Sequence, residues 1–345
     1  FVYGCDLSLN SGEGVLSQEF INFIKKKLYK NNNSKFIIYS YKNIKKKKIN
    51  LNFHEKYFSP IFGIFKVWMH HLKGQQTVYA NFLPLWNSLL FIFLPKSTIL
   101  GPITGSDIVK GTNILDNLTR KYIFPLLYYL NILIIYKKWN KIIFSTQILK
   151  SYIPKKNIKN TLFNFQLLRL QNNNLIFKKK KFEFFIYYRN HQNKFDTETI
   201  NFIKYLSNYF SVYIFGDKLK YKKIKNLGFL NKKEIKYYLL NSQMTVSSSE
   251  NIMNNFNIEC INNNLKILTN KKLSLDKIKF KNFIKLNYLN LIKNENEFKK
   301  KMGNIQKIRI KKNNLKLKIL KLDIIQFFDS FFEKNKTNKQ FSISK

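Results

Sequence analysis

The chain has 345 residues, enough for two domains that each bury a core, and 45% of them are hydrophobic, which excludes a disordered polar chain. Its formal charge is +43, from 62 Lys and Arg against 19 Asp and Glu. The lysines are scattered through every segment among Asn, Ile, Phe and Tyr, with no aromatic RNA-binding run, zinc spacing or helix-turn-helix pattern, so no specific nucleic acid is expected as a partner.

Phe1 to Cys5 reads as a buried strand that opens inside an apolar run, so its first residues are expected upstream. A loop carrying Gly12 and Gly14 follows, then an amphipathic helix from Val15 to Tyr29. Glycines ahead of a helix start let backbone approach a phosphate or sugar, with unpaired N–H groups aimed at it. Asp6 and Glu13 stand in the same stretch, either for ligand contacts or as helix caps. Phe36 to Ser40 is the second strand, and Lys45 to Lys48 follow in a loop. Val67 to Lys73 reads as a helix end, Val78 to Ala80 as a short strand, Pro84 to Phe93 as an apolar helix and Thr98 to Leu100 as another strand. That strand runs into GPITGSD, where Gly101, Gly105, Ser106 and Asp107 mark either a close approach of backbone to a ligand or a plain turn.

Tyr122 to Tyr136 is the most apolar segment, but its 15 residues are broken by Pro125 and Asn131. Roughly 20 residues are needed to cross a bilayer. A buried helix of the first domain is the favoured expectation. The alternative is a helix with one face in an anionic membrane interface, its flanking Arg120, Lys121, Lys137, Lys138 and Lys141 among the headgroups. Lys141 to Ser145 then reads as the last strand of this domain, followed by a polar connection. The organisation expected is a first domain over 1–165, a hinge over 166–180, a second domain over 181–316, a closing helix over 317–334 and a polar tail over 335–345. Cys5 and Cys260, with His54, His70, His71 and His191, show no metal-ligand spacing, so no metal is expected and a reducing, cytoplasmic compartment is the simpler reading.

The second domain opens with the strand Phe182 to Tyr188, and at its end stand Arg189 and Lys194 with four residues between them. Such a cation pair neutralises the charge that grows on a diphosphate leaving group as its bond breaks. A helix over Thr197 to Tyr209, a strand from Val212 to Gly216 and a short strand ending at Gly228 and Phe229 come next. Met244 to Val246 then delivers Ser247, Ser248, Ser249 and Glu250 into a turn, and a segment with Asn251 and Glu259 leads to the strand Leu265 to Thr269. A carboxylate can accept two hydrogen bonds from a vicinal diol, and it can also cap a helix N-terminus.

This succession from Phe182 to Thr269 resembles the nucleotide-sugar glycosyltransferases of the two-domain GT-B type, in particular the retaining, family 4-like branch. Arg189 and Lys194 match the cations of that family's GRxxxxKG motif. The serine turn with Glu250 and Glu259 resembles its paired glutamates, with Asn251 at the family's spacing. GPITGSD resembles the GPIGG-like loop of the acceptor domain. The resemblance implies an α/β fold of two Rossmann-like domains facing each other across a cleft. It implies transfer of a sugar from a nucleotide-diphospho-sugar donor to a glycan or lipid-linked acceptor in surface polysaccharide or glycolipid synthesis, with no cofactor and no metal. Arg189, Lys194 and Glu250 would be catalytic, and Glu259 would bind the ribose hydroxyls. Gly12, Gly14, Gly216, Gly228, Phe229, Ser249 and Asn251 would lie about the donor, and Gly101, Gly105, Ser106 and Asp107 on the acceptor side. The enzyme would be cytoplasmic, with peripheral attachment to an anionic membrane as the open alternative. The rival readings are a non-catalytic relative that binds nucleotide or glycan, and a basic protein of nucleic-acid or membrane surfaces.

Overall fold

The structure, a computed structural model, describes residues 1–8, 11–28, 35–41, 53–105, 117–170, 180–191, 194–249, 251–271, 280–308 and 323–327. Ser106, Asp107, Glu250, the lysines 45–48, the tail 335–345 and most of 317–334 lie outside the described residues. The chain divides into two compact units: Phe1–Gln166 with Asp323–Lys345, and Leu167–Leu322.

In the first unit, β1 (Val2–Gly4), β2 (Ile38–Ser40), β3 (Val78–Tyr79) and β4 (Ile99–Leu100) form a parallel sheet in the order β2-β1-β3-β4. Parallel neighbours need crossover connections. These are supplied by α1 (Gly12–Leu28), α2 (Phe53–Leu72) and α3 (Ser88–Phe93). A π-helical turn over Thr119–Ile123 leads into α4 (Phe124–Lys138), and β5 (Ile142–Ile143) pairs in parallel with β6 (Thr161–Leu162). Gly63 lets α2 lie directly on β1, since a Cβ there would stand 2.2 Å from the Tyr3 ring. Tyr3, Tyr79, Phe91, Tyr128 and Phe144 are buried in this core.

Four expectations need correction here. Gly12 and Gly14 lie in the first turn of α1, not in a loop before it. Only Ser88–Phe93 of the span from Pro84 is helical, because Pro84 bridges Thr104 and its carbonyl accepts from Asn87 N at 2.9 Å. The strand near Ser145 is not the last of its unit, since Phe144 N donates to Leu162 O at 2.7 Å beside β6. The helix over Tyr122 to Tyr136 buries Tyr128, Ile132 and Ile135 but leaves Tyr122, Leu126, Tyr129 and Leu133 exposed.

The second unit has six parallel strands: β7 (Phe182–Tyr188), β8 (Val212–Gly216), β9 (Ile224–Gly228), β10 (Ser242–Val246), β11 (Lys266–Asn270) and β12 (Phe283–Leu286). Their order is β12-β11-β10-β7-β8-β9. Counted from its first strand this is 3-2-1-4-5-6, the doubly wound Rossmann order, with its reversal between β7 and β10. A sheet covered on both faces needs strands apolar on both sides, and Phe184, Phe185, Ile186, Ile214, Ile267 and Leu268 are all buried.

The helices are α5 (Thr197–Leu206), α6 (Lys232–Asn241), α7 (Asn255–Asn262), α8 (Tyr288–Lys293) and α9 (Glu295–Lys307). Their starts are set by short polar side chains: Asp196 accepts from Thr199 N, Asn254 from Asn257 N, and Asn231 forms a capping box with Glu234. Phe202 of α5 stacks on Tyr288 of α8 at 4.0 Å, packing two helices over one face of the core. Each unit encloses one free cysteine, Cys5 in the first and Cys260 in the second, both buried.

Candidate functional site

Where the strand order of an open parallel sheet reverses, the connections leave in opposite directions and open a crevice at the carboxyl ends. In the second unit that place is the end of β7 beside the end of β10. Beyond Tyr188, Arg189 is exposed, and its guanidinium has no ion-pair partner among the described residues. The chain then turns back: His191 O accepts from Lys194 N at 2.8 Å and from Phe195 N at 3.0 Å. Phe195 is buried against Tyr188, ring centroids 5.1 Å apart, which anchors the turn to the core.

The turn after β10 is bonded directly to this one. Ser249 N donates to Lys194 O at 2.7 Å, Ser249 Oγ accepts from Asp196 N at 3.1 Å, and the same hydroxyl lies 3.0 Å from Thr199 Oγ1. The cation loop, the start of α5 and the serine turn are thus one hydrogen-bonded assembly. Ser249 acts within it as a tie between loops. Asn251 Oδ1 accepts from Met253 N at 2.9 Å, closing an Asx turn, and Asn257 Nδ2 donates to Ser247 Oγ at 2.8 Å and to Ile252 O at 2.8 Å.

Glu259 lies on α7, and its Oε1 is ion-paired with Arg169 Nη2. Asn262 Nδ2 donates to Arg169 O at 3.0 Å, so the same helix holds both the backbone and the side chain of Arg169. Gly216 has φ +97° and a Cβ there would stand 2.4 Å from Tyr188 O. Only glycine therefore lets the end of β8 fold over the end of β7, where Asp217 Oδ2 accepts from Asn190 N at 2.8 Å. Gly228 also has positive φ, +71°, and it turns the chain into Phe229, which is 81% exposed.

The first unit reverses its order between β1 and β3. At those ends Asn81, buried, accepts from Cys5 N at 2.8 Å and donates to Asp6 O. Asp6 Oδ1 accepts from Ser8 N at 2.8 Å, and Phe82 N donates to Glu13 Oε2 at 3.4 Å. Burial pushes the Glu13 carboxyl up from its ordinary value, and the nearby Asp6 adds to this against the opposing Phe82 N–H. The glycines expected about a ligand here lie close against the protein's own atoms. A Cβ on Gly14 would meet Ser8 O at 1.9 Å, one on Gly101 would meet Ala80 O at 2.1 Å, and one on Gly105 would meet Leu149 Cδ1 at 2.4 Å. Gly12 is exposed at the first position of α1.

No family profile and no curated protein sequence matches this chain. Solved structures are similar over most of its length. The UDP-GlcNAc 2-epimerase from Neisseria meningitidis bound to UDP-GlcNAc shares 11% identity, covering 95% of this chain and 98% of its own, with TM-score 0.44. The UDP-GlcNAc 2-epimerase from Methanocaldococcus jannaschii shares 10% identity over 90% and 93%, with TM-score 0.43. The E. coli heptosyltransferase WaaC with ADP shares 10% identity over 88% and 99%, with TM-score 0.38. Likeness this distant says nothing of what the present chain binds. Its own strand orders establish the fold class: α/β, with a Rossmann-like parallel sheet in each unit.

Arg169, Asn81, Asn257 and Asp217 are among the members of these sites that sequence reading passes over. For Arg169 there is a signal: only four of the 62 cations are arginine, Arg120, Arg169, Arg189 and Arg309, and arginine is the cation suited to a planar carboxylate partner. Among the described residues no group of His, Cys, Asp and Glu is placed to hold a metal ion.

Proposed function

We propose that this chain is a nucleotide-diphospho-sugar-dependent glycosyltransferase whose donor sits at the β7 and β10 strand ends of the second unit. The observation that supports it is the direct bonding of the Arg189–Lys194 loop to the serine turn at the reversal of a 3-2-1-4-5-6 sheet. Arg189 and Lys194 would face the diphosphate, whose terminal oxygen gains charge as its bond to the sugar breaks. Donors fixed in place stabilise that charge without having to reorganise. Glu259, oriented by Arg169, would accept from the ribose hydroxyls, the exposed Phe229 ring would lie against the base, and Glu250 would lie near the sugar.

In this reading the first unit receives a glycan or lipid-linked acceptor near Glu13. A carboxyl held above its ordinary pKa is suited to taking a proton near neutral pH. Retention of configuration, metal independence, a cytoplasmic location and a product in cell-envelope polysaccharide or lipopolysaccharide synthesis belong to the same proposal, on the strength of the family resemblance. The test is a thermal-shift series with UDP, GDP, ADP, their sugar conjugates and a short DNA, on the parent and on Lys194→Ala. One nucleoside diphosphate class should raise Tm, by about 2.7 kcal/mol of stabilisation at a hundredfold excess over Kd, and Lys194→Ala should lose it. Stabilisation by DNA alone would remove the donor site.

A further inference from the structure

The carboxyl rim of the second unit's sheet continues past the donor site to the ends of β11 and β12. These strands finish level with each other: Thr269 pairs with Lys285, Asn270 with Leu286, and Lys271 N donates to Leu286 O at 2.7 Å. Helix α9 runs back from this rim along the sheet, since Lys266 Nζ at the start of β11 donates to Gln306 O near the far end of α9 at 2.8 Å. Together the two strand ends, α8 and the first half of α9 border a cavity of about 280 Å³. It lies two strand spacings, about 10 Å, from the reversal between β7 and β10.

Leu286 and Leu291, both buried, give the cavity an apolar floor, and the exposed Lys271, Lys285 and Lys301 stand about it. None of these three ammonium groups has a hydrogen-bond or ion-pair partner among the described residues. Other lysines of the chain are engaged: Lys138, Lys180 and Lys266 donate to backbone carbonyls, and Lys299 pairs with Glu295 at 2.6 Å. Glu297 and Lys301 have the same spacing on the same helix as that pair, in the order that favours pairing, yet they stay apart. Glu297 Oε2 accepts instead from Asn290 Nδ2 of α8 at 2.7 Å. The carboxylate placed to neutralise Lys301 is thus held by α8, and Lys301 is left with its full charge toward the cavity.

Three cations about one small cavity repel each other, and an anion set among them reverses the sign of that interaction. The volume is just below the range of about 300 to 1,000 Å³ usual for drug-sized ligands, which suits a small body. A phosphate monoester dianion supplies the charge. Inorganic phosphate alone would leave the apolar floor uncovered and Glu297 repelling it. A sugar attached to the phosphate answers both, with its carbon-bound face on the leucines and a hydroxyl donated to the carboxylate.

We propose that this cavity binds a sugar phosphate, at a site separate from that of the nucleotide donor. The full chain is titrated by calorimetry with glucose 1-phosphate, inorganic phosphate and glucose, beside three variants: Lys285→Gln with Lys301→Gln, Glu297→Gln, and Lys194→Ala. Lys285 and Lys301 are exposed and unpaired, so without ligand the double variant should unfold at the parent's Tm or above it. Glucose 1-phosphate should bind the parent and Lys194→Ala alike, and the double variant at least about tenfold more weakly. Glu297→Gln should weaken glucose 1-phosphate but not inorganic phosphate, and glucose alone should not bind. Equal affinity in all four proteins, or no binding by the parent, overturns the proposal. So does loss in Lys194→Ala with retention in the double variant, which would place the phosphate at the donor site. Inorganic phosphate binding as tightly as glucose 1-phosphate would overturn the sugar assignment. Thermal shifts with nucleoside diphosphates should be the same in the parent and the double variant, so this test and that of the donor site fail independently.

Discussion

Arg169 and Glu259, 90 positions apart in sequence, are ion-paired in the second unit, and Glu259 is the carboxylate expected to meet a ribose. Their side chains are 14% and 35% exposed, so solvent screens the pair in part. A double-mutant cycle with Arg169→Met and Glu259→Gln should give a coupling of about 1 kcal/mol in denaturant unfolding. Glu259→Ala should also weaken nucleoside diphosphate binding about tenfold, or about 1.4 kcal/mol, with a smaller loss in Arg169→Met. Parental affinity in Glu259→Ala would leave the pair a purely structural role.

Arg189→Ala should leave Tm unchanged, because the side chain is exposed. Turnover should fall by roughly 100-fold, the usual cost of removing one fixed donor from a developing anion. A rate within a factor of about two of the parent would contradict the leaving-group assignment.

Ser249→Ala keeps the backbone bond to Lys194 O but removes the hydroxyl that accepts from Asp196 N and meets Thr199 Oγ1. Unfolding in urea should show a loss of about 1 kcal/mol. The cation loop should also become more mobile, read as faster amide exchange at Lys194 and Phe195 than in the parent, with exchange in β7 unchanged.

Glu13→Gln should raise stability at neutral pH. A carboxyl whose folded pKa is raised binds its proton more tightly in the folded state, so stability is complete below the unfolded value near 4.5 and falls as pH rises through the folded pKa. Gln cannot ionise, and it keeps an oxygen for Phe82 N. The Tm advantage of the variant should therefore be greatest at pH 7 and close below about pH 4.5. An advantage independent of pH would mean that charge is not its cause.

The strands were legible because parallel strands buried on both faces run as apolar blocks such as Phe182–Tyr188. The strand-end loops were legible through Gly, Ser and Asn placed directly after those blocks. Arg169 with Glu259, and Asn81 with Cys5 and Asp6, were not, because nothing local marks a partner 90 or 75 residues away. The outward face of α4 was misread for a different reason. A helix apolar on every side looks like core, and only the packing of its neighbours reveals that one side is left exposed among the described residues. Gly14, Gly101 and Gly216 were legible as places of close backbone approach, and the near neighbour at each is one of the chain's own carbonyls.

The two enclosed thiols give each unit its own clock. Burial pushes Cys5 up to about 11 and Cys260 well above its ordinary value, so neither forms a thiolate readily while its unit is closed. Alkylation of Cys5 thus waits for the first unit to open, and alkylation of Cys260 for the second. With only two cysteines in the chain, mass spectrometry of the labelled peptides can time the two openings separately in one sample.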